Sequence, residues 1–140
     1  MGVADFDTKV AVVVREDLAT WQKLNVTAFL TSGVVVDAGT DVVGEPYEDA
    51  DGCRYLPMLR QPVLVFAATR DKLATVARRA RERDVPVAIY AAELFSTGRD
   101  EDNRAAVKAV ATDELERVGL ALRAPHKRAD AVLRGLKRHD

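Results

Sequence analysis

Two short runs in this chain carry almost no polar side chain, and they restrict its fold more than anything else in it. Lys9–Arg15 holds VAVVV, and Pro62–Ala68 reads PVLVFAA. A strand with one wet face alternates apolar and polar residues. An unbroken β-branched run suits a strand covered on both faces. Such strands belong to a sheet with helices packed above and below it. At 140 residues the chain is long enough for one domain, residues 1–140, burying roughly 70% of its unfolded surface.

The remaining segments fit that plan. Trp21 to about Val35 reads as a helix, with Trp21, Leu24, Ala28 and Val35 as its apolar stripe. Asp37–Gly44 is a loop. Pro46–Tyr55 has two short arms about an Asp-Gly turn at Asp51-Gly52, which predicts a small hairpin. Thr69 is placed to cap a helix through Arg83, with Leu73, Val76, Ala77 and Ala80 facing inward. Val85–Tyr90 is a third strand, and Glu93–Gly98 is irregular. Asp100-Glu-Asp opens another helix, acids favouring its positive dipole end. Asp113 and Glu116 form a candidate capping pair. Val118–Leu122 is a fourth strand, and Pro125 starts a last helix to about Arg138. The expected architecture is a three-layer α/β/α sandwich on a mostly parallel, partly mixed sheet of four to five strands. In such sheets ligands bind beyond the carboxyl ends of the parallel strands. Here those ends are Arg15–Asp17, Ala68–Arg70 and Tyr90–Glu93.

Charge excludes several functions. The net charge of −1 argues against a general nucleic-acid binder. No apolar run reaches the ~20 residues of a membrane span. The opening MGVADFDT lacks signal-peptide character, and Phe6 breaks the myristoylation pattern. The lone Cys53 suits a reducing cytoplasm. Between Lys23 and Arg54 there is no basic residue, only Asp37, Asp41, Glu45, Glu48, Asp49 and Asp51. Arg70–Arg83 and Arg123–His139 are basic. These are either solvated helix faces and an acidic loop, or a dipolar molecule with a basic face for an anion.

The chemistry-bearing residues are few. Arg15 and Asp17 sit at a strand end, where a guanidinium can grip a carboxylate or phosphate. They can equally pair with each other or cap the helix. Lys23 either joins them or extends into water. Asn25 and Ser32 share one helix face, as pocket-lining groups or as locally satisfied polar positions. Ser32 has no evident base to make it a nucleophile. Tyr47 and Tyr55 flank the Asp-Gly turn and either pack together across a hairpin or stack on a ligand ring. Asp49-x-Asp51-Gly52 lacks the remaining ligands of an EF-hand, with Arg60 at the closing position. His126, His139 and Cys53 are too scattered for zinc. Neither phosphate-loop pattern nor a G-x-S-x-G elbow is present. No metal or cofactor is therefore expected.

Val14-Arg15-Glu16-Asp17-Leu18 and Gly119-Leu-Ala-Leu-Arg-Ala-Pro125 resemble the first strand end and the last strand of the type II peptidyl-tRNA hydrolases. Trp21-Gln-Lys-Leu-Asn25, Gly44-Glu-Pro-Tyr-Glu48, Tyr55-Leu-Pro-Met-Leu59 and Glu93-Leu-Phe95 resemble a bacterial family, domain of unknown function family 2000. That family is itself related to the hydrolase fold and brings no activity. The hydrolases carry a lysine, a glutamine and a histidine on one face of the first helix. Their places fall here on Asn25, Phe29 and Ser32. A further hydrolase run, Asp-Ala-Gly-Arg-Thr-Gln, is replaced by Ala91-Ala-Glu-Leu-Phe-Ser96, in which Glu93 can stand for the aspartate. The resemblance thus implies the fold but replaces the catalytic groups.

Three functions follow as expectations. The first is a binding module for a small anionic ligand or an RNA or nucleotide end, using Arg15, Asp17, Lys23, Asn25, Ser32 and Glu93. The second is a hydrolase with altered chemistry on an RNA ester or amide. The third is a homodimeric interaction protein joined through Val34–Val36 or Leu56–Leu59.

Overall fold

The computed structural model describes residues 6–140. Residues 1–5, on which much of the leader and myristoylation readings rest, lie outside it. Strand β1 (Thr8–Arg15) leads into helix α1 (Thr20–Ala38) and a 3-10 turn at Gly39–Val42. The hairpin strands β2 (Tyr47–Glu48) and β3 (Arg54–Tyr55) follow, then β4 (Val63–Ala68) and α2 (Arg70–Glu82). Strand β5 (Val87–Ala91) runs into a 3-10 turn at Ala92–Ser96 and α3 (Asp100–Lys108). The chain closes with β6 (Arg117–Pro125), α4 (His126–Leu133) and β7 (Lys137–Arg138).

The sheet order is β5-β6-β1-β4-β7. Only β1 and β4 pair in parallel; the β1–β6, β5–β6 and β4–β7 pairs are antiparallel. This corrects the mostly parallel sheet. The cause is β6, which inserts between β5 and β1 and runs against both. Because it separates them, β1, β4 and β5 still point one way, and their carboxyl ends share one rim.

The apolar run of β1 divides between two cores, as a doubly covered strand must. Ala11 and Val13 join Leu73, Val76, Ala77 and Ala80 of α2 and Ala129 and Val132 of α4. Val10, Val12 and Val14 join Val26, Leu30 and Val34 of α1. The α2 stripe is the one read from the sequence, and Thr69 caps the helix by accepting from the Lys72 amide at 3.2 Å.

Helix α1 differs. Its buried residues are Val26, Leu30 and Val34, while Trp21 and Leu24 are mostly exposed, Ala28 is exposed and Val35 is half-buried. The stripe expected to face the core faces away from it. Gly119 in β6 explains how closely the other face docks. A Cβ there would stand 2.5 Å from Val26 Cγ1 and 2.9 Å from Leu30 Cδ1.

Helix α4 is shorter than expected. It ends at Leu133 because Gly135, at φ +87°, turns the chain back as the edge strand β7. The hairpin forms as read, with Tyr47 opposite Tyr55 and Gly52 at φ +86°. Asp49 organises its turn, accepting from the amides of Asp51 and Cys53 and from the Tyr55 hydroxyl at 2.7 Å. That hydroxyl holds the Asp49 carboxylate below its usual range, and the carboxylate holds Tyr55 above its own. No helix among the described residues is long and apolar enough to cross a membrane.

Candidate functional site

Two concavities open near the shared rim. The larger, about 510 Å³, lies between the α1 flank, β5, the turn after β5 and the start of α3. Trp21, Asn25 and Phe29 enter it from α1, one turn apart each. Residues four apart on a helix lie one above another, so this flank was legible as a pattern. Tyr90 comes from the end of β5 and Phe95 from the 3-10 turn.

The four rings form a connected series. Trp21 meets Phe95 edge-on, with centroids 6.0 Å apart, Phe95 lies 5.1 Å from Tyr90, and Tyr90 lies 5.8 Å from Phe29. These separations are ordinary for paired aromatic side chains. Burial pushes the Tyr90 hydroxyl above its normal range. Polar groups are few and placed around the rings. Asn25 stands on the α1 side, and Thr97, Arg99, Asp100 and Asn103 on the α3 side. The Thr97 hydroxyl and the Asn103 amide oxygen are hydrogen-bonded, which leaves the amide nitrogen of Asn103 to donate. Asp100 is paired with Arg104 at 2.6 Å and Arg99 with Glu101 at 3.3 Å.

The second concavity, about 310 Å³, sits where β1 and β4 end and α2 begins. Lys23, Lys72, Lys137, Arg138 and His139 line it, with Glu16 and Asp140 beside them. Lys23 Nζ lies 3.0 Å from His139 Nε2.

The six residues singled out from the sequence therefore separate. Asn25 lines the aromatic cavity, and Lys23 lines the basic one. Arg15 and Asp17 pair with each other: Arg15 donates from Nε to Asp17 at 2.6 Å and from the guanidinium terminus at 3.3 Å. Its remaining nitrogen reaches Glu116 at 3.0 Å, and Glu116 also holds Arg70 at 2.6 Å. The Asp17 hydrogen bond raises the Arg15 guanidinium further above its usual value, and Arg15 holds the Asp17 carboxylate below the usual range. Glu116 thus serves as an ion-pair partner, not as the capping partner of Asp113. Ser32 is exposed and donates to the Phe29 carbonyl of its own helix at 2.5 Å. Glu93 is exposed on the turn, outside both concavities.

Trp21, which the sequence reading assigned to the core, instead stands at the cavity mouth with 61% of its surface exposed. Arg99 and Asn103 were not singled out, and Tyr90 was marked only as the start of the strand end Tyr90–Glu93. Asn103 reads as one polar position of a charged helix. Only the fold brings them to Asn25. Among the described residues no three metal-ligating side chains cluster.

Architecture and cavity together define a mixed α/β protein whose first helix and third sheet strand enclose an aromatic-lined cleft. The chain belongs to the family of proteins of unknown function DUF2000, whose model matches residues 8–140. It is also similar to a solved structure, the protein of unknown function Atu0240 from Agrobacterium tumefaciens strain C58. The two are 45% identical with a TM-score of 0.94, over 96% of this chain and 99% of that one. No curated protein matches it.

Proposed function

We propose that residues 1–140 form a single cytoplasmic binding domain of type II peptidyl-tRNA hydrolase-like architecture that holds a nucleotide end. The base would enter the aromatic cavity, and the phosphate would point outward toward Arg99. The observation that carries this reading is the set of four aromatic side chains around one cleft, with the Asn25 and Asn103 amides at its sides. A volume of about 510 Å³ lies within the range of small-molecule sites, ~300–1,000 Å³. A base stacked on aromatic rings gains roughly 1–3 kcal/mol whatever its identity. An asparagine amide can then read the base edge, adenine best among the four. The hydrolase resemblance supports the location. The cavity lies between the first helix and the segment after β5, the two places where those enzymes carry polar groups.

The hydrolase alternative needs a general base within reach of the substrate. The one carboxylate on the cavity wall, Asp100, is already paired with Arg104. Binding without turnover is the better-supported reading. The basic concavity favours a second, for a small anion at the ends of β1 and β4, because five basic side chains surround it.

Trp21 is the sole tryptophan and lines the cavity, so it reports occupancy directly. Titration with adenosine monophosphate should change its emission saturably, and Asn25→Ala should weaken binding about ten-fold, the equivalent of ~1.4 kcal/mol. Unchanged emission with all four nucleoside monophosphates would refute the assignment. Turnover of peptidyl-tRNA that Asn25→Ala abolishes would restore the hydrolase reading.

A further inference from the structure

We infer that the outward face of α1 is a homodimer interface, in which two copies of the helix pack antiparallel about a two-fold axis at Ala28. This does not depend on the nucleotide reading.

The argument starts from a helix with two apolar stripes. Val26, Leu30 and Val34 meet the sheet. Trp21, Leu24, Ala28 and Val35 lie on the opposite side, within a narrow arc at 100° per residue. A helix facing water on its outer side carries charge there, whereas one apolar all round is covered on both sides. From Leu24 to Val36 this helix has no charged residue.

Two of its polar side chains are turned inward on the helix itself. Ser32 donates to the Phe29 carbonyl at 2.5 Å and Thr31 to the Thr27 carbonyl at 2.8 Å. Both hydroxyls can be covered without losing a hydrogen bond, so an apolar partner meets no penalty from them.

The occupant is identified by the symmetry of the stripe. Trp21 and Val35 are each seven residues from Ala28, and Leu24 and Ser32 are each four. In an antiparallel pair centred on Ala28, Trp21 meets Val35 of the second copy and Leu24 meets Ser32. Large side chains face small ones on both sides of an Ala–Ala crossing. This is the self-complementarity a two-fold interface requires, and Ala28 permits the ~8 Å end of the interaxial range. With no charge on the stripe, nothing calls for a partner of opposite charge.

The area suits a reversible dimer. Leu24 is 68% and Trp21 61% exposed, and Ala28 and Ser32 beside them are exposed. Together they offer on the order of 400 Å² per copy, about 800 Å² in all, the size of a weak, concentration-dependent contact. Trp21 belongs to both features, so the second copy would also lie against the mouth of the cavity.

Sedimentation velocity on the full chain should give twice the 15.3 kDa monomer mass, and Ala28→Arg should return it to the monomer. Ala28 is exposed, so an unchanged circular dichroism spectrum is expected in that variant. In a Cys53→Ser background, Ala28→Cys should cross-link two chains under mild oxidation, whereas Asp113→Cys, on a separate exposed turn, should not. A wild-type monomer at high concentration would overturn the inference. So would a dimer that survives Ala28→Arg, or an Ala28→Cys chain that does not cross-link. Ala28 does not line the cavity, so nucleotide binding by the Ala28→Arg monomer keeps the two proposals separable.

Discussion

Replacing Gly119 by alanine tests the contact that seats α1 on the sheet. The added Cβ would lie 2.5 Å from Val26 Cγ1, 2.9 Å from Leu30 Cδ1 and 3.4 Å from the Val13 carbonyl oxygen. Carbon atoms rest at about 3.5–4.0 Å, so the Val26 and Leu30 side chains, or α1 with them, must shift by roughly 1 Å. Val26 and Leu30 are both buried against the sheet, Val26 wholly and Leu30 with one side bordering the cavity. Overpacking of this kind costs about 1–3 kcal/mol. Removing a strand glycine returns roughly 0.5–1 kcal/mol of backbone entropy, leaving a net loss of about 1–2 kcal/mol. With an unfolding entropy near 2.1 cal/mol/K per residue, a chain of 140 residues should lose about 3–7 °C in Tm. Leu30 also lines the aromatic cavity, so nucleotide affinity should fall in the same variant. Thermal denaturation followed by circular dichroism reads the first effect, and Trp21 emission the second. Gly98→Ala is the control for melting, because a Cβ there meets nothing within 4 Å. A Gly119→Ala protein melting with the wild type would refute the close seating of α1. So would a Gly98→Ala protein that melts equally low.

Two further perturbations separate local from long-range contributions. Glu116→Ala leaves one nitrogen of the mostly buried Arg15 without its partner, Asp17 keeping the other two, and should cost about 1 kcal/mol, whereas removing the exposed Arg70 should cost roughly 0–0.5 kcal/mol; equal losses in urea denaturation would refute the ranking. Tyr90 is held protonated by burial, so its stabilisation is complete below about pH 10 and is lost as pH rises through its higher folded-state value. Urea midpoints across that range should fall less steeply in Tyr90→Phe, and an identical slope would assign the alkaline loss to other groups.

Features that depend on near neighbours in the chain were legible beforehand. The β1 and β4 runs, the Thr69 cap with the α2 stripe, and the hairpin about Gly52 are each decided within a dozen residues. Features that depend on distant pairing were not. The β6 insertion is set by which strand edge remains open when the chain returns after α3, and no local pattern encodes that choice. Arg15 is the clearest example among the site residues. Its sequence context allows a ligand grip or a local pair equally well. Glu116, 101 residues further on, gives the third guanidinium nitrogen its partner. The aromatic cavity was half legible for the same reason. Trp21, Asn25 and Phe29 share a helix flank, while Tyr90, Phe95 and Asn103 come to it only through the fold.

Misplacing the core face of α1 has a physical cause that bears on function. A stripe search finds the apolar arc with the largest side chains, and on α1 that arc contains Trp21 and Leu24. The sheet takes the other arc, where Val26 and Leu30 lie directly over Gly119 and Val34 continues the same buried row. A third arc, with Asn25 and Phe29, borders the cavity. Core, cavity and outward stripe together take up nearly the whole circumference. On the buried arc a lysine or glutamate would be desolvated without a partner at a cost of several kcal/mol; on the outer arc it would be desolvated only in the dimer. A monomer that binds nothing would have no reason to keep the outer arc neutral. Arginine at Ala28 should therefore be tolerated by the fold and resisted only by the assembly, which makes that substitution more informative than any made in the buried stripe.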